Sequence, residues 1–210
     1  MSPAPRRLTR LADKQSTDLA VLHALLDSTC LGHVAYVDGD EVSVVPTAVA
    51  RVDDRLVWHG STGSHWMRIV SSGAPVAVSV ASLDGVVVAR SRFESSFHYR
   101  SAVVRGRPVV LEGGDKLRAL DVLVERIVPG RLAETRDSDA RELAATLVLA
   151  IQLDDWVLKV SDGWPEDTDA DIAGDAWAGV VPMGVAYGEP LPAPDLRPGI
   201  DVPASVRNLR

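Results

Sequence analysis

At 210 residues, with 46% apolar and 24% charged side chains, the chain has the length and composition of one folded domain and not of a disordered segment. Its formal charge of -7, with the acidic excess between Asp137 and Asp175, argues against general nucleic-acid binding, which needs a basic face. No apolar run approaches the roughly 20 residues of a membrane span, and one cysteine allows no internal disulfide, which suits a cytoplasmic protein without a membrane partner.

Residues 1–15 carry Arg6, Arg7 and Arg10 with no apolar segment behind them, so they read as a mobile arm and not as a secretory signal. Residues 16–188 read as one domain and residues 189–210, with Pro190, Pro192, Pro194, Pro198 and Pro203, as an extended strap. Thr17-Asp18 opens a first helix with Val21, Leu22, Leu25 and Leu26 at helical spacing. His23 lies off that stripe and reads as solvated, and Cys30, among apolar residues, reads as a buried inert thiol. Leu31 to Val37 is a strand closed by Asp38-Gly39-Asp40, and Glu41 to Ala50 returns, with Pro46 marking a sheet edge or a bulge. A further turn at Val52-Asp53-Asp54 leads to the strand Leu56-Val57-Trp58.

That strand opens onto His59-Gly60-Ser61-Thr62-Gly63 and a short helix from Ser64 to Val70 that carries Arg68. Hydroxyls and glycines before a helix start serve either as a plain cap or as a phosphate site, since the first-turn N–H groups lack intrahelical partners. Val76 to Leu83 then alternates as a strand, Asp84-Gly85 reads as a tight turn, and Val86 to Ala89 follows. Arg90 to His98 reads as a loop and Tyr99 to Leu111 as a long strand bent at Gly106 and Pro108.

Asp115 to Val128 is a helix whose stripe is Leu117, Leu120, Leu123, Val124, Ile127 and Val128. A short helix at Asp139–Ala145 runs into one long strand from Leu147 to Val160. Glu166 to Asp175 holds five carboxylates in a spacing that matches no calcium loop, and without a second cysteine or a close histidine pair zinc is not expected either. Many short antiparallel strands with few helices predict a mainly β, α+β barrel.

Read together, His33-Val34, Val45-Pro46-Thr47, His59-Gly60-Ser61-Thr62, the stretch Leu83–Ser91, Tyr99-Arg100-Ser101 and Val128-Pro129-Gly130-Arg131 resemble the pyridoxamine 5'-phosphate oxidase-like flavoproteins, closest to their nitroimidazole-resistance-type branch. The likeness runs from about residue 10 to residue 205 and includes Trp177-Ala178-Gly179 and Pro198-Gly199-Ile200. The resemblance implies an antiparallel split β-barrel that forms a homodimer and binds FMN in clefts between subunits. It places Val45, Pro46, Thr47 and Ala48 along the flavin ring, with Trp58, His59 and Gly60 reaching it. Ser61, Thr62, Ser64, His65 and Arg68 fall at the ribityl and phosphate, and Ser101 faces the ring. Arg100 and Lys159 are the further cations near the cofactor, and Trp156, Trp164 and Trp177 are candidate interface aromatics.

Three departures stand out: relatives commonly carry Arg at His65, Asn at His98 and Arg at Ser161. A mostly neutral imidazole anchors phosphate less well than a guanidinium. The reading is therefore an FMN-dependent oxidoreductase that acts on an unidentified small molecule, with reduced nicotinamide or another molecule as donor and His59 and His98 as the candidate proton donors. Pyridoxamine 5'-phosphate itself is not the expected substrate, because the Ser64-His65-Trp66 segment lacks the basic form. A second reading is a flavin- or haem-binding protein without turnover, with His65 or His98 as haem ligand. A third is a dimer that has lost its cofactor and acts in regulation or assembly.

Overall fold

The computed structural model describes Arg6 and residues 12–209. A 3-10 turn at Ala12–Lys14 leads into β1 (Gln15–Ser16), which pairs with a later strand, so the end of the expected arm is held in the sheet. The rest of that arm, residues 1–5 and 7–11, lies outside the described residues. α1 (Leu19–Ser28) begins at Asp18, whose carboxylate accepts the Ala20 N–H at 2.8 Å. It turns Leu22, Leu25 and Leu26 inward. β2 (Leu31–Asp38) and β3 (Glu41–Val52) make the expected hairpin, with Gly39 at φ 61 where an L side chain would be strained.

β4 (Arg55–Ser61) continues through His59, Gly60 and Ser61, which the sequence reading had placed after the strand. α2 (His65–Ser71) follows, then β5 (Val76–Val88) and β6 (Ser96–Gly106). Asp84-Gly85 is no turn: β5 runs through it, and its register against β6 slips between Leu83 and Gly85 as a bulge. β7 (Val109–Val110) follows the bend at Gly106–Pro108, and α3 (Gly113–Ile127) is the long helix. α4 (Ala140–Ala145) starts with a full capping box between Asp139 and Glu142.

The expected single strand Leu147–Val160 is two, β8 (Thr146–Gln152) and β9 (Trp156–Ser161), because the chain turns at residues 153–155. Aliphatic runs on both sides hid that turn, whose polar signal is only Gln152 and Asp154-Asp155. In the acidic run, α5 (Asp169–Ile172) is capped by Thr168, and the buried Asp167 carboxylate accepts from the Arg90 backbone N–H and Nη1 at 2.9 and 3.0 Å. β10 (Gly179–Pro182) pairs with the far end of β5. Residues 181–200 are exposed, and α6 (Ala204–Arg207) ties the tail down where the Ser205 N–H and hydroxyl donate to Glu134.

All ladders are antiparallel, in the order β1-β9-β6-β5-β2-β3-β4-β8-β7 with β10 beside β5. The sheet curls until β6 meets β8, where a Cβ at Gly106 would lie 3.3 Å from Ile151 Cβ. This is the antiparallel split barrel that the resemblance implies. Its interior holds Leu22, Leu25, Val34, Val49, Trp58 and Leu158, all at 1% exposure or less, each aliphatic side chain contributing about 1.5–3 kcal/mol by burial. A second core lies outside the barrel, where Ala119 and Leu123 of α3 cover Ala50, Val57, Val148 and Ala150. The predicted α3 stripe is rotated accordingly: Leu117, Val124 and Ile127 are exposed.

Other sequence expectations change place in the fold. Cys30 is exposed at the α1–β2 corner. His23 is no solvated side chain, for its Nε2 is buried and lies 3.6 Å from Asp54 Oδ1. Trp156 belongs to the barrel core at 6% exposure, whereas Trp164 and Trp177 stay largely exposed at 76% and 65%.

Candidate functional site

The barrel splits where β3 changes partner. Glu41 to Ala48 pair with β2, and Val49 to Val52 pair with β4. Beyond the Val49–Trp58 pair the two strands diverge, and β4 continues through His59, Gly60 and Ser61 against β8 alone. Pro46 sits in that divergence, opposite His33 of β2 and with no strand on its other side, which is the edge position its missing N–H requires. Val45 packs on the interior core, Pro46 is exposed, and Thr47 and Ala48 are half-buried at the lip. Two of the candidate segments, residues 45–48 and 59–61, are thus brought to one opening.

At that opening His59 is half-buried and its Nδ1 is buried without a hydrogen-bond partner; burial pushes its pKa below the ordinary histidine value, so the ring is neutral near pH 7. The adjacent Trp58 points into the core and its Nε1 is likewise unpartnered. Gly60 is there for packing, since a Cβ would lie 2.7 Å from Met67 Cγ, and its absence lets α2 close on β4. The hydroxyls are unequally committed. Ser61 Oγ accepts the Gly63 N–H at 3.2 Å, and Thr62 donates to the Ala145 carbonyl at 3.2 Å. Ser64 stands at the helix start and its side chain caps nothing. Arg68 is exposed on α2, and its guanidinium has no partner among the described residues.

His65 is 69% exposed, and its Nε2 lies 2.9 Å from the Asp38 carboxylate at the tip of the β2–β3 hairpin. A carboxylate so placed repels a phosphate dianion, so the pairing weakens the phosphate role expected of His65. Asp38 escaped the sequence reading because its Asp-Gly context already explained it as a turn residue.

The remaining candidates lie elsewhere on the sheet. His98, Arg100 and Ser101 are on β6 and Lys159 is opposite Ser101 on β9, while β5 and β2 stand between β6 and β3. The candidates therefore fall on two pairs of strands, β3 with β4 and β6 with β9. Within the second group, His98 Nε2 is 2.9 Å from the Gly163 carbonyl, and Lys159 lies 6.0 Å over the Tyr99 ring. Arg100 is committed: its Nε and Nη2 donate to both Asp84 oxygens at 2.9 Å, an arrangement that holds the Asp84 carboxyl below its usual range. Ser161, where relatives carry Arg, is buried at 8% exposure. Among the described residues no group of three or more His, Cys, Asp or Glu side chains could hold a metal, and no helix is long and apolar enough to cross a membrane.

The sequence profile described as pyridoxamine 5'-phosphate oxidase matches residues 18–160. The FAD and haem binding protein of Mycobacterium smegmatis is similar over 92% of this chain and 96% of its own, with 53% identity and a TM-score of 0.87. The flavocytochrome Anf3 of Azotobacter vinelandii is 29% identical over 97% of this chain and 95% of its own, also at 0.87. A Bacteroides thetaiotaomicron protein assigned to 5-nitroimidazole antibiotic resistance shares the fold, at 18% identity over 70% of this chain and 86% of its own, with a TM-score of 0.56. No curated protein matches the sequence.

Proposed function

This chain belongs to the pyridoxamine 5'-phosphate oxidase family, and we propose on that premise that it is a redox protein holding both a flavin and a haem. The observation that carries the reading is 53% identity, over nearly the whole chain, to a protein that binds FAD and haem. It favours FAD over the FMN implied by the sequence resemblance, and it raises the haem alternative above a flavin alone. A flavin exchanges two electrons or a hydride and a haem one electron, so the pair can join a two-electron donor such as reduced nicotinamide to one-electron chemistry on a small molecule.

The residues at the split fit a flavin. Val45, Thr47 and Ala48 form a half-buried lip around the exposed Pro46, and the neutral His59 has a buried ring nitrogen in need of a partner, an unmade bond that costs about 1–3 kcal/mol until a ligand supplies it. Ser64 and Arg68, both free of other commitments, would hold phosphate. For the haem, His65 fits better as a ligand than as a phosphate anchor. Asp38 fixes one ring nitrogen, as carboxylates do for metal-bound histidines, and leaves the other open. His98 keeps one free ring nitrogen as well and serves as proton donor to the flavin side.

The functional unit in this reading is a homodimer, in which a second copy's β6 and β9 residues complete the cofactor site, as the sequence resemblance implies. The test is direct. Protein expressed in haem-supplied cells is denatured, its released chromophores are separated by chromatography, and the native visible spectrum is recorded. FAD together with a Soret band is expected. FMN with no Soret band overturns the FAD and haem assignments, and a colourless protein that retains neither flavin overturns the whole reading.

A further inference from the structure

On the outer face of the sheet, near the turn of the β2–β3 hairpin, lies a groove of about 490 Å³, within the range of small-molecule sites. Strand register explains its shape. Arg105 of β6 lies opposite Ala77 of β5, and Ala77 lies opposite Ala35 of β2, so all three project from the same side of the sheet. The two alanines leave a low floor between the arginine and the Val37–Val42 pair of the hairpin. That far wall is aliphatic and open, with Val42 76% exposed and Val37 50% exposed.

The charge of the groove runs against that of the chain. The sequence carries 29 acidic and 22 basic residues, yet Arg6, Arg105 and Arg107 line the groove with Asp155 as its one carboxylate among the described residues. Arg6 donates through Nε and Nη2 to both Asp155 oxygens at 3.0 and 2.9 Å, which neutralises that pair. Arg107 gives one N–H to the Gly73 carbonyl at 2.7 Å and has no carboxylate partner among the described residues. The Arg105 guanidinium meets no acceptor among them, and its Nη1 is buried without a partner. A partly desolvated charge with nothing to balance it is costly, and an anion seated beside it removes the cost.

The rest of the lining narrows the choice of anion. Among the described residues no Ser, Thr, Asn or Gln lines the groove, and its one aromatic residue, Tyr36, is nearly buried at 7% exposure. Sugars and nucleotides would find neither hydroxyl and amide partners nor an open ring to stack on. We propose that this groove binds an aliphatic carboxylate, with its head on Arg105 and Arg107 and its alkyl chain along Val37 and Val42. The guanidinium fork matches the two oxygens of a carboxylate, and the chain covers the exposed valines. The assignment holds whichever cofactor the protein carries.

Full-length protein, with whatever chromophore it retains, is titrated calorimetrically with octanoate, octanol and acetate. Octanoate is expected to bind at one site per chain at least about tenfold more tightly than octanol, with acetate weaker still. Arg105→Gln should erase most of the advantage of octanoate over octanol, and Arg105→Lys should restore part of it. Val42→Asp sets a charge against the alkyl chain; at 76% exposure the fold tolerates it, and octanoate should bind at least about tenfold more weakly. Equal binding of octanoate and octanol overturns the carboxylate assignment, and acetate as tight as octanoate overturns the role of the valine wall. Octanoate binding that both Arg105→Gln and Val42→Asp leave unchanged overturns the site itself. Sedimentation with octanoate present tests the other occupant: a ligand that separates associated chains shows that a second copy, and not a carboxylate, covers the valines. The comparison of the three ligands on the wild-type protein stands even where a variant fails to fold.

Discussion

At His59 the strand carries a polar ring into a half-buried place and gives its Nδ1 no partner. Burial favours the neutral form and lowers the pKa from the ordinary 6.5. Below that value the unfolded chain takes up a proton that the folded chain refuses, so unfolding becomes easier as pH falls. The urea midpoint of the wild type should therefore drop between about pH 7 and pH 5, and His59→Phe should flatten that part of the profile. The carboxylates held low by their partners, Asp53, Asp84 and Glu134, lose their contribution only in the more acid range, below the ordinary carboxylate values, so they do not obscure the effect. An unchanged slope in His59→Phe would place the proton uptake elsewhere. The sequence revealed His59 through its neighbours Gly60-Ser61-Thr62, but its buried nitrogen depends on β8 lying alongside, which local spacing does not encode.

Among elements, β5 carries the most consequence per residue. At Asp84-Gly85 the strand bulges instead of turning, and the bulge is pinned three ways. Arg100 grips the Asp84 carboxylate, Ser82 donates to it at 2.8 Å, and the Asp84 carbonyl accepts the Met183 N–H at 3.0 Å just beyond β10. Gly85 is needed because a Cβ there would stand 3.1 Å from the Val181 carbonyl. Asp84→Ala should cost about 1 kcal/mol, at the lower end for a charged hydrogen-bonded pair because both side chains are partly solvated. It should also speed amide exchange in residues 179–183, which a merely local loss would leave alone. The starts of α1, α2 and α4, the hairpin at residues 38–40 and the bend at residues 106–108 were legible because turn and cap chemistry is local, whereas the short α5 and α6 lie in segments read as a loop and an extended strap. The bulge and the β8–β9 turn were not. Asp-Gly serves a hairpin and a bulge equally well, and only the partner strand decides between them.

At the scale of the whole molecule, strand order separates the candidate residues. Residues 45–48 and 59–61 gather at the split, while His98, Arg100, Ser101 and Lys159 lie on β6 and β9. The outer faces of β2 and β3 expose Leu31, Val37, Val42 and Val44, with Val37, Val42 and Val44 together at the hairpin end. If this face joins two copies, sedimentation equilibrium should give twice the 22.5 kDa of one chain, and flavin content should follow the dimer. Val44→Glu is the sharper probe. Its side chain is 56% exposed in the single chain, so the charge is tolerated in a folded monomer, yet it would be buried between copies at a cost that breaks the association. The variant should keep its melting transition, sediment as a monomer and lose flavin on desalting. A Val44→Glu protein that remains a flavin-loaded dimer would move the interface to another face and leave the split to be completed from there.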